Sequence, residues 1–355
     1  MKQLPAVDIK EYGTLQSGEP VAIARITNGP GMELDVISYG GIITRLLAPD
    51  SSGNFQDVVL GLDSLDDYQT FSNRLGAIIG RFGNRIAEGK FELSGDSHQL
   101  EINNGRHHLH GGSMGFNKLN WSMLPFRSTD AAGVVLSLTS PDGDQGYPGE
   151  LCVQVTYTLG NDNNLNLSFN ATTSKSTIIN LTHHSFFNLA SKGDILDHQL
   201  MIPATSFTPL NDNLIPTGEF RDVAGTAFDF TKPKTVGKDI DSDDQQLKIA
   251  GGYDHNWVLK SRNDEQLIPG AILEEDNSGR ILEVWTDHPG MQFYSGNFLD
   301  GTMAGKGRKL SCRSGLCLEP QSFPNSPNQV NFPSTLLNPG ETYQRCIQYR
   351  FRHQQ

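Results

Sequence analysis

The chain has 355 residues, of which 36% are hydrophobic and 19% are charged, and its formal net charge is −12. Such a composition is typical of a folded globular protein. The acidic balance argues against nucleic acid and against an anionic membrane surface as partners, because both attract basic proteins. The length would fit two domains, yet no linker, charge block or fixed repeat divides the sequence. We therefore predict a single domain over residues 1–355.

Apolar and polar residues alternate along several segments of the chain. A short helical turn is predicted around Ser64–Tyr68, and period-two alternation follows at Leu151–Leu159, at Leu165–Ala171 and at Ile347–Phe351. Alternation of this kind places one face of a β-strand on a core and the other in solvent. Turn-rich segments lie at 28–31, 141–144, 160–163 and 338–340. The pattern predicts an all-β fold, a large antiparallel β-sandwich whose long loops carry the function.

The N-terminal segment and the cysteines indicate in which cellular compartment the protein is expected. The first twenty residues lack the apolar run of a signal peptide, and no later stretch approaches the roughly 20 apolar residues of a membrane helix. Cys312 and Cys317 are too far apart for a CxxC pair, and Cys152 and Cys346 are isolated. We expect reduced thiols in a cytoplasmic protein. A mature exported form that has lost its signal is the alternative.

Five segments combine His, Asp, Glu, Asn and Arg with glycine at unusual density. They are Ile79–Ile86, His107–Gly112, Asn180–Leu189, Gly251–Asn256 and Leu318–Pro324. Taken singly, each also has a purely structural interpretation. Asn84 and Arg85 are typical of a surface or capping pair, and Tyr253–His255 is typical of a turn.

Four histidines raise the question of a metal site. His107 and His110 have the spacing of a metal-binding pair, which His183 and His184 could complete. On a strand, however, adjacent histidines face opposite sides. Only one of His183 and His184 can therefore point into a given cleft. No phosphate loop, nucleophile elbow or dinucleotide fingerprint stands out.

The joint pattern of these segments suits interconversion of the two anomers of a sugar. That reaction needs a base that removes the proton of the C1 hydroxyl. It also needs an acid that protonates the ring oxygen as the C–O bond breaks. The aldehyde then rotates about C1–C2, and the ring closes on the other face. A carboxylate and an imidazole are a suitable pair, and no metal or cofactor is expected.

These five segments and three others, in chain order, resemble the aldose 1-epimerase family over nearly the whole chain. The similar segments are Asp57–Gly61, Gly80–Ile86, Leu109–Gly112, Asn180–Leu189, Gly225–Phe230, Gly252–Asn256, Pro289–Asn297 and Glu319–Asn328. The resemblance implies a β-supersandwich with an open cleft. It also implies a free aldohexose, such as galactose or glucose, as the substrate. We expect a monomer or a homodimer.

The resemblance further implies a role for each site residue. Glu319 would be the general base, His184 the general acid, and His110 a second imidazole near the ring oxygen that also contacts the sugar. The residues that would bind substrate hydroxyls are Asn84, Arg85, Asp254 and Gln292. Phe82–Gly83, His183 and Phe186 depart from the family pattern, so the preferred sugar and the role of His183 stay open.

Three alternatives remain from the sequence. A hexose-6-phosphate 1-epimerase would need several cations that converge on the phosphate. Arg81 is the residue that favours it, because on an extended strand it would face the same side as Arg85 and could reach the cleft. A sugar-binding module without catalysis is the second alternative. A polysaccharide lyase or glycosidase is the third, with Glu319 and Asp254 as its two carboxylates.

Overall fold

The computed structural model describes residues 4–71, 74–259 and 266–354. Strands make up most of the regular structure in these ranges. In chain order they are β1 Ala6–Thr14, β2 Pro20–Thr27, β3 Glu33–Ile37, β4 Ile43–Pro49, β5 Phe55–Asp57, β6 Ile78–Ile79, β7 Arg85–Ile86, β8 Lys90–Leu93, β9 Asp96–Gln99, β10 His108–Leu109, β11 Ser122–Arg127, β12 Ala131–Ser140, β13 Leu151–Gly160, β14 Asn164–Thr173, β15 Thr177–Ile178, β16 Thr182–His183, β17 Gln199–Met201, β18 Ser206–Thr208, β19 Arg221–Asp222, β20 Lys234–Thr235, β21 Asp254–Val258, β22 Ile268–Glu275, β23 Arg280–Thr286, β24 Gly290–Tyr294, β25 Ala304–Gly305, β26 Arg308–Lys309, β27 Cys317–Gln321, β28 Leu336–Leu337 and β29 Tyr343–His353.

Helical structure is sparse and short. The α-helices of the described residues are α1 Leu65–Thr70 and α2 Gln245–Ala250, and the 3-10 turns are Ala87–Gly89, Phe116–Lys118, Asp144–Gly146, Val236–Lys238 and Ser326–Asn328. Helix α1 begins where the sequence predicts a turn, because the Ser64 hydroxyl accepts a hydrogen bond from the Asp67 amide and caps the first turn. None of the helices that the structure describes combines the length and the apolar character needed to cross a bilayer.

Three antiparallel sheets form the body of the fold. The largest has nine strands in the order β11-β12-β13-β14-β29-β23-β22-β17-β20. A five-stranded sheet follows the chain order β1 to β5, and a second five-stranded sheet has the order β19-β18-β21-β24-β27. Five two-stranded pairs, among them β6 with β16 and β7 with β10, complete the strand pairing of the described residues. The predicted large antiparallel all-β architecture is confirmed.

Side-chain alternation explains the largest sheet. In β13 the odd-numbered Val153, Val155 and Tyr157 are buried, whereas Cys152 and Gln154 are exposed. Strand β14 pairs with β13 along its whole length and with β29 on its other edge, so the three predicted alternating segments are neighbours. Their inward faces join one apolar core with residues of the other two large sheets.

The sheet β19-β18-β21-β24-β27 has one face in that core and the other in a cavity. On its core face, Trp257, Phe293 and Leu318 are fully buried in the shared apolar cluster. Successive residues of a strand point to opposite faces, so their neighbours point away from the core. The polar residues between them therefore lie on the opposite face of the sheet, over which the cavity described below opens.

Candidate active site

Strand pairing places the polar residues of three segments in rows. On the cavity face of the sheet, Asn256 lies opposite Gln292, and Gln292 lies opposite Glu319. Asp254, two residues before Asn256, lies opposite Tyr294 in the next row. Directly opposed side chains lie about 5 Å apart at their Cβ atoms. Residues that are far apart in sequence thus become neighbours through the hydrogen-bond register alone.

A cavity of about 300 Å³ opens over this face. Its wall combines polar and apolar side chains. The lining residues are Arg74, Asn84, Arg85, Leu109, His110, His184, Phe186, Asp254, Tyr294, Phe298, Leu299, Met303 and Glu319. A concave site with a few convergent polar groups has the general form of a small-molecule binding site.

Glu319 and His184 meet in this cavity. The distance from His184 Nε2 to Glu319 Oε1 is 3.6 Å, and both residues are buried. Glu319 Oε2 has no hydrogen-bond partner among the described residues. Burial raises the pKa of Glu319 well above its ordinary value, Asp254 raises it further, and Arg74 opposes the shift. Burial lowers the pKa of His184 to about 3. Both shifts favour the uncharged form of each group.

The ring of His184 is held from several sides. It stacks on Phe186 at a centroid distance of 5.1 Å, and it meets the ring of His110 edge-on at 5.3 Å. Its Nδ1 lies 3.4 Å from the sulfur of Cys317. The backbone of His184 donates to the carbonyl of Ala77 at 3.0 Å. These contacts fix the ring with Nε2 towards Glu319.

His110 and Asn84 form a second unit of the wall. Both have a left-handed backbone, with φ of 53° and 65°. The Asn84 amide donates to His110 Nδ1 at 3.1 Å, and the His110 amide donates to the Asn84 carbonyl at 3.1 Å. Because Nδ1 accepts, a neutral His110 carries its proton on Nε2. Burial lowers the pKa of His110 well below its ordinary value, which favours that neutral form.

The residue that follows His110 is Gly111, and the local backbone requires a glycine there. Its φ is +83°, and a Cβ atom at this position would lie 1.8 Å from the carbonyl oxygen of Gly80. A side chain cannot be accommodated at that distance, so the segment needs glycine here. The close approach of the two backbones brings His110 against the Gly80–Asn84 segment.

Asp254 and Arg85 form the charged part of the wall. Arg85 Nη1 lies 3.7 Å from Asp254 Oδ2. Gln292 Nε2 donates to Asp254 Oδ1 at 2.7 Å. Burial raises the pKa of Asp254, while Arg85 and the hydrogen bond from Gln292 act to lower it. The pair presents one donor and one acceptor to the cavity, which is suited to adjacent hydroxyl groups.

Similarity to known proteins agrees with this arrangement. The family model for aldose 1-epimerase matches residues 23–350. The chain belongs to the aldose 1-epimerase family. A galactose mutarotase of Sus scrofa is 44% identical over 343 residues, covering 96% of this chain and 97% of that protein. An aldose 1-epimerase of Escherichia coli (strain K12) is 35% identical over 337 residues, covering 94% and 96%.

A solved structure gives the same result for the fold. The galactose 1-epimerase from Lactobacillus acidophilus NCFM superposes with a TM-score of 0.89 at 30% identity, covering 99% of this chain and 100% of that one. The protein is therefore an isomerase with aldose 1-epimerase function, and its substrate is a small sugar. The predictions of the family, the fold class and the activity are confirmed.

Two of the epimerase's histidines separate as the sequence predicts. His184 lines the cavity, whereas His183 points the other way and meets the ring of Tyr157 edge-on at 5.8 Å. His107 and His108 also lie off the cavity wall. His107 Nδ1 accepts from the Glu88 amide, and the ring of His108 contacts a backbone carbonyl and a tyrosine hydroxyl. The spacing of these histidines therefore does not gather them into one cluster.

Arg81 does not reach the cavity. Its guanidinium is buried and donates to the carbonyls of Pro148 and Gly149 and to the hydroxyl of Ser140. The expectation that it shares a face with Arg85 is wrong, because Arg81 and Arg85 do not belong to one continuous strand: Asn84 adopts a left-handed conformation between them. The cation that favoured a phosphorylated substrate thus donates to acceptors outside the cavity through both terminal nitrogens, and its Nε has no partner among the described residues.

Gln292 lies behind the wall rather than on it. Its amide nitrogen is bound to Asp254, and its carbonyl oxygen accepts from Gln321 at 3.1 Å. It is not among the residues that line the cavity. In this structure its side chain supports Asp254, and the direct contact with the sugar that the resemblance implies stays a prediction.

The structure adds cavity residues that motif reading did not select. Arg74 lies outside the quoted motifs, and the apolar wall comes from Phe186, Phe298, Leu299 and Met303. Phe186 and Tyr294 lay inside similar segments, without an assigned role. No periodicity marks these residues, because they reach the cavity from separate loops and strand ends.

One group of potential metal ligands occurs among the residues that the structure describes. It consists of His184, Cys317 and Glu319, whose ligand atoms lie within 4.8 Å of one another. All three are buried, and two of them are the candidate acid and base. A metal bound here would occupy the groups that the reaction requires.

Proposed function

We propose that the enzyme interconverts the α and β anomers of free aldohexoses such as galactose and glucose by general acid–base catalysis. Glu319 removes the proton of the C1 hydroxyl, and His184 protonates the ring oxygen as the C1–O5 bond breaks. After rotation about C1–C2 the same groups act in reverse and close the ring. The observation that carries the proposal is the 3.6 Å approach of His184 Nε2 to Glu319 Oε1 inside the cavity.

The pair works with one shared proton. Burial favours this proton on Glu319 in the empty cavity, since it raises the pKa of Glu319 and lowers that of His184. Sugar hydroxyls that donate to Glu319 stabilise the ionised carboxylate. Binding therefore favours transfer of the proton to His184, where the ring oxygen needs it. The two groups titrate as a unit, so a pH profile reports the pair.

The remaining polar wall would hold the sugar. Asn84, Arg85, His110 and Asp254 offer donors and acceptors to the ring hydroxyls. His110, beside His184, would support the developing charge on the ring oxygen. Gln292 would act by orienting Asp254. Arrangement of the reactants in one geometry is itself a large part of catalysis.

The substrate should be a neutral sugar rather than a sugar phosphate. A phosphate dianion is usually held by several arginines or lysines, or by helix amides. Arg81 is engaged with backbone carbonyls outside the cavity, and Arg85 is paired with Asp254. Arg74 alone on the cavity wall does not make the several cations that a phosphate dianion needs. A charge of −12 also repels a dianion on average.

Polarimetry tests the proposal. The enzyme should accelerate the rotation change of fresh α-D-galactose or α-D-glucose, and no new compound should form. kcat/KM should be compared for galactose, glucose and glucose 6-phosphate at moderate salt. A clear preference for the phosphate would show a hexose-phosphate epimerase. Absence of any acceleration would show a sugar-binding protein without this activity.

We further propose a cytoplasmic monomer or homodimer that acts as a single domain, without a metal or cofactor. The four cysteines form no disulfide, which is compatible with a reducing compartment. Ring opening and closing moves only protons, so the chemistry asks for no redox group.

A further inference from the structure

Arg74 is a cation of the cavity that the proposed mechanism does not use. It lines the cavity wall, and its Nε is buried without a hydrogen-bond partner. It makes no ion pair with any residue that the structure describes, whereas the second cavity arginine, Arg85, lies 3.7 Å from Asp254. Burial, reinforced by the charge of Arg85 and opposed by that of Glu319, lowers the pKa of Arg74 to about 10. Guanidinium groups in such surroundings normally have an anion or several acceptors as partners.

The backbone places Arg74 beside His184. A turn closes where the Ala77 amide donates to the Arg74 carbonyl at 3.2 Å. The same turn pairs with His184 twice, since Gly76 donates to the His184 carbonyl at 2.9 Å and His184 donates to the Ala77 carbonyl at 3.0 Å. The φ of Arg74 is 62°, a left-handed conformation, and its side chain lines the cavity. The Arg74 side chain thus reaches the cavity next to the candidate acid.

The covalent structure of a pyranose determines which sugar group lies next to the candidate acid. The argument rests on the proposed function, in which His184 protonates the ring oxygen O5. In a pyranose, O5 is bonded to C5, and C5 carries the exocyclic C6. The substituent at C6 is therefore the sugar group nearest to a side chain that neighbours His184 on the O5 side.

We propose that Arg74 binds the C6 substituent of the sugar and that the enzyme therefore accepts hexuronates, aldoses with a carboxylate at C6, as well as neutral hexoses. A planar guanidinium binds a planar carboxylate through two parallel hydrogen bonds. The carboxylate also supplies an ion-pair partner, which Arg74 lacks among the described residues. With a neutral hexose, the C6 hydroxyl takes a single hydrogen bond at the same place.

The experiment compares sugars that differ only at C6. Exchange NMR between α and β anomeric protons gives relative kcat/KM for galactose, galacturonate, 6-deoxygalactose and galactose 6-phosphate at moderate salt. The variants are Arg74→Met, Arg74→Lys and the control Arg106→Met. Arg106 has an 82% exposed side chain outside the cavity, so its replacement removes the same charge from the surface. Met keeps a Cβ atom, so Arg74→Met leaves the left-handed backbone as strained as before.

The wild type should exchange galacturonate at a kcat/KM comparable to that of galactose. Arg74→Met should lower the value for galacturonate roughly 10- to 100-fold, the usual worth of hydrogen bonds to charged groups. It should leave 6-deoxygalactose within about threefold, because this sugar has no C6 oxygen to lose a contact. Arg74→Lys should be intermediate, and Arg106→Met should match the wild type. Circular dichroism and Tm show whether each variant is folded.

Three results would overturn the inference. Equal losses for galacturonate and 6-deoxygalactose in folded Arg74→Met would show that Arg74 acts on Glu319 or His184 instead of C6. An unchanged ratio of galacturonate to galactose would show that Arg74 contacts no C6 group. A preference for galactose 6-phosphate over galacturonate would assign the arginine to a phosphate. In each case galactose turnover by the wild type tests the proposed function separately.

Discussion

Replacement of Glu319 by glutamine should separate activity from stability. The amide keeps the shape of the side chain but cannot accept the C1 proton. Loss of a positioned general base lowers the rate roughly 10²- to 10⁴-fold. At about 1.36 kcal/mol for each factor of ten, the barrier rises by about 2.7 to 5.4 kcal/mol. Binding of galactose, which relies on the other wall residues, should change far less.

The same replacement should raise the free energy of unfolding above pH 4.5. The side chain of Glu319 is only 3% exposed, and burial raises its pKa well above 4.5. Below pH 4.5 both the folded and the unfolded chain keep this proton. Above it the unfolded chain releases the proton first, so the folded state loses up to about 1.36 kcal/mol per pH unit until its own pKa is reached. Glutamine has no proton to release and escapes this loss.

Urea unfolding at pH 5, 6, 7 and 8 measures this difference directly. The free energy of unfolding of Glu319→Gln relative to the wild type should increase with pH over the window above 4.5. Glu92→Gln, at an exposed position of β8, is the matched control and should show no such trend. Near-normal turnover in folded Glu319→Gln, or a pH-independent stability difference, would refute the reasoning.

Three further predictions concern the histidines and metals. His184→Asn should abolish most activity, while His183→Asn should leave the rate unchanged and lower Tm, because His183 is fully buried against Tyr157. Polarimetry and thermal unfolding distinguish the two variants. The reverse pattern would contradict the strand orientation. Overnight EDTA treatment should leave mutarotation intact; activity that is lost and then restored by zinc would show that the acid and base hold a structural or catalytic metal. Burial lowers the pKa of His198 to about 4, and its Nε2 accepts from the Leu189 amide. As pH falls below 6.5 the unfolded chain binds this proton first, so unfolding free energy should fall by up to about 1.36 kcal/mol per pH unit, and His198→Gln should flatten that slope in urea titrations.

Local pattern predicts the strands of this protein well. The alternation at Leu151–Leu159 and Leu165–Ala171 corresponds to β13 and β14, because one face of each strand must meet an apolar core. The helical turn near Ser64 follows from its capping hydroxyl. Pattern does not predict that these strands join β29 in a nine-stranded sheet, since pairing depends on contacts between distant segments.

The order of the motifs predicts most of the polar site. The error in the prediction comes from backbone geometry that the motifs do not show. Glu319, His184 and His110 converge in one cavity, together with Asn84 and Arg85. The placement of Arg81 was wrong because the chain between it and Arg85 turns at Asn84, which a strand-based argument ignores.

Arg74 was missed for a related reason. Its approach to the cavity depends on a left-handed residue in a turn that pairs with His184, and no motif marks either feature. Gln292 was expected at the sugar from the family resemblance. Its amide donates to Asp254 and it is not among the residues that line the cavity, an arrangement that depends on the packing of both side chains.

Gln292 of β24 lies directly opposite Glu319 of β27. The sheet face to which the proposed base points therefore depends on its exact position along β27. An insertion of one residue just before Glu319 within β27 would turn its carboxylate into the apolar layer, and a second would turn it back. The connection at 295–316 lies outside this ladder and carries Phe298, Leu299 and Met303 of the cavity wall. Changes in its length leave the orientation of Glu319 intact while they reshape the wall. Divergence in sugar preference among such proteins can therefore accumulate in this connection, with the acid–base geometry inherited unaltered from the strands.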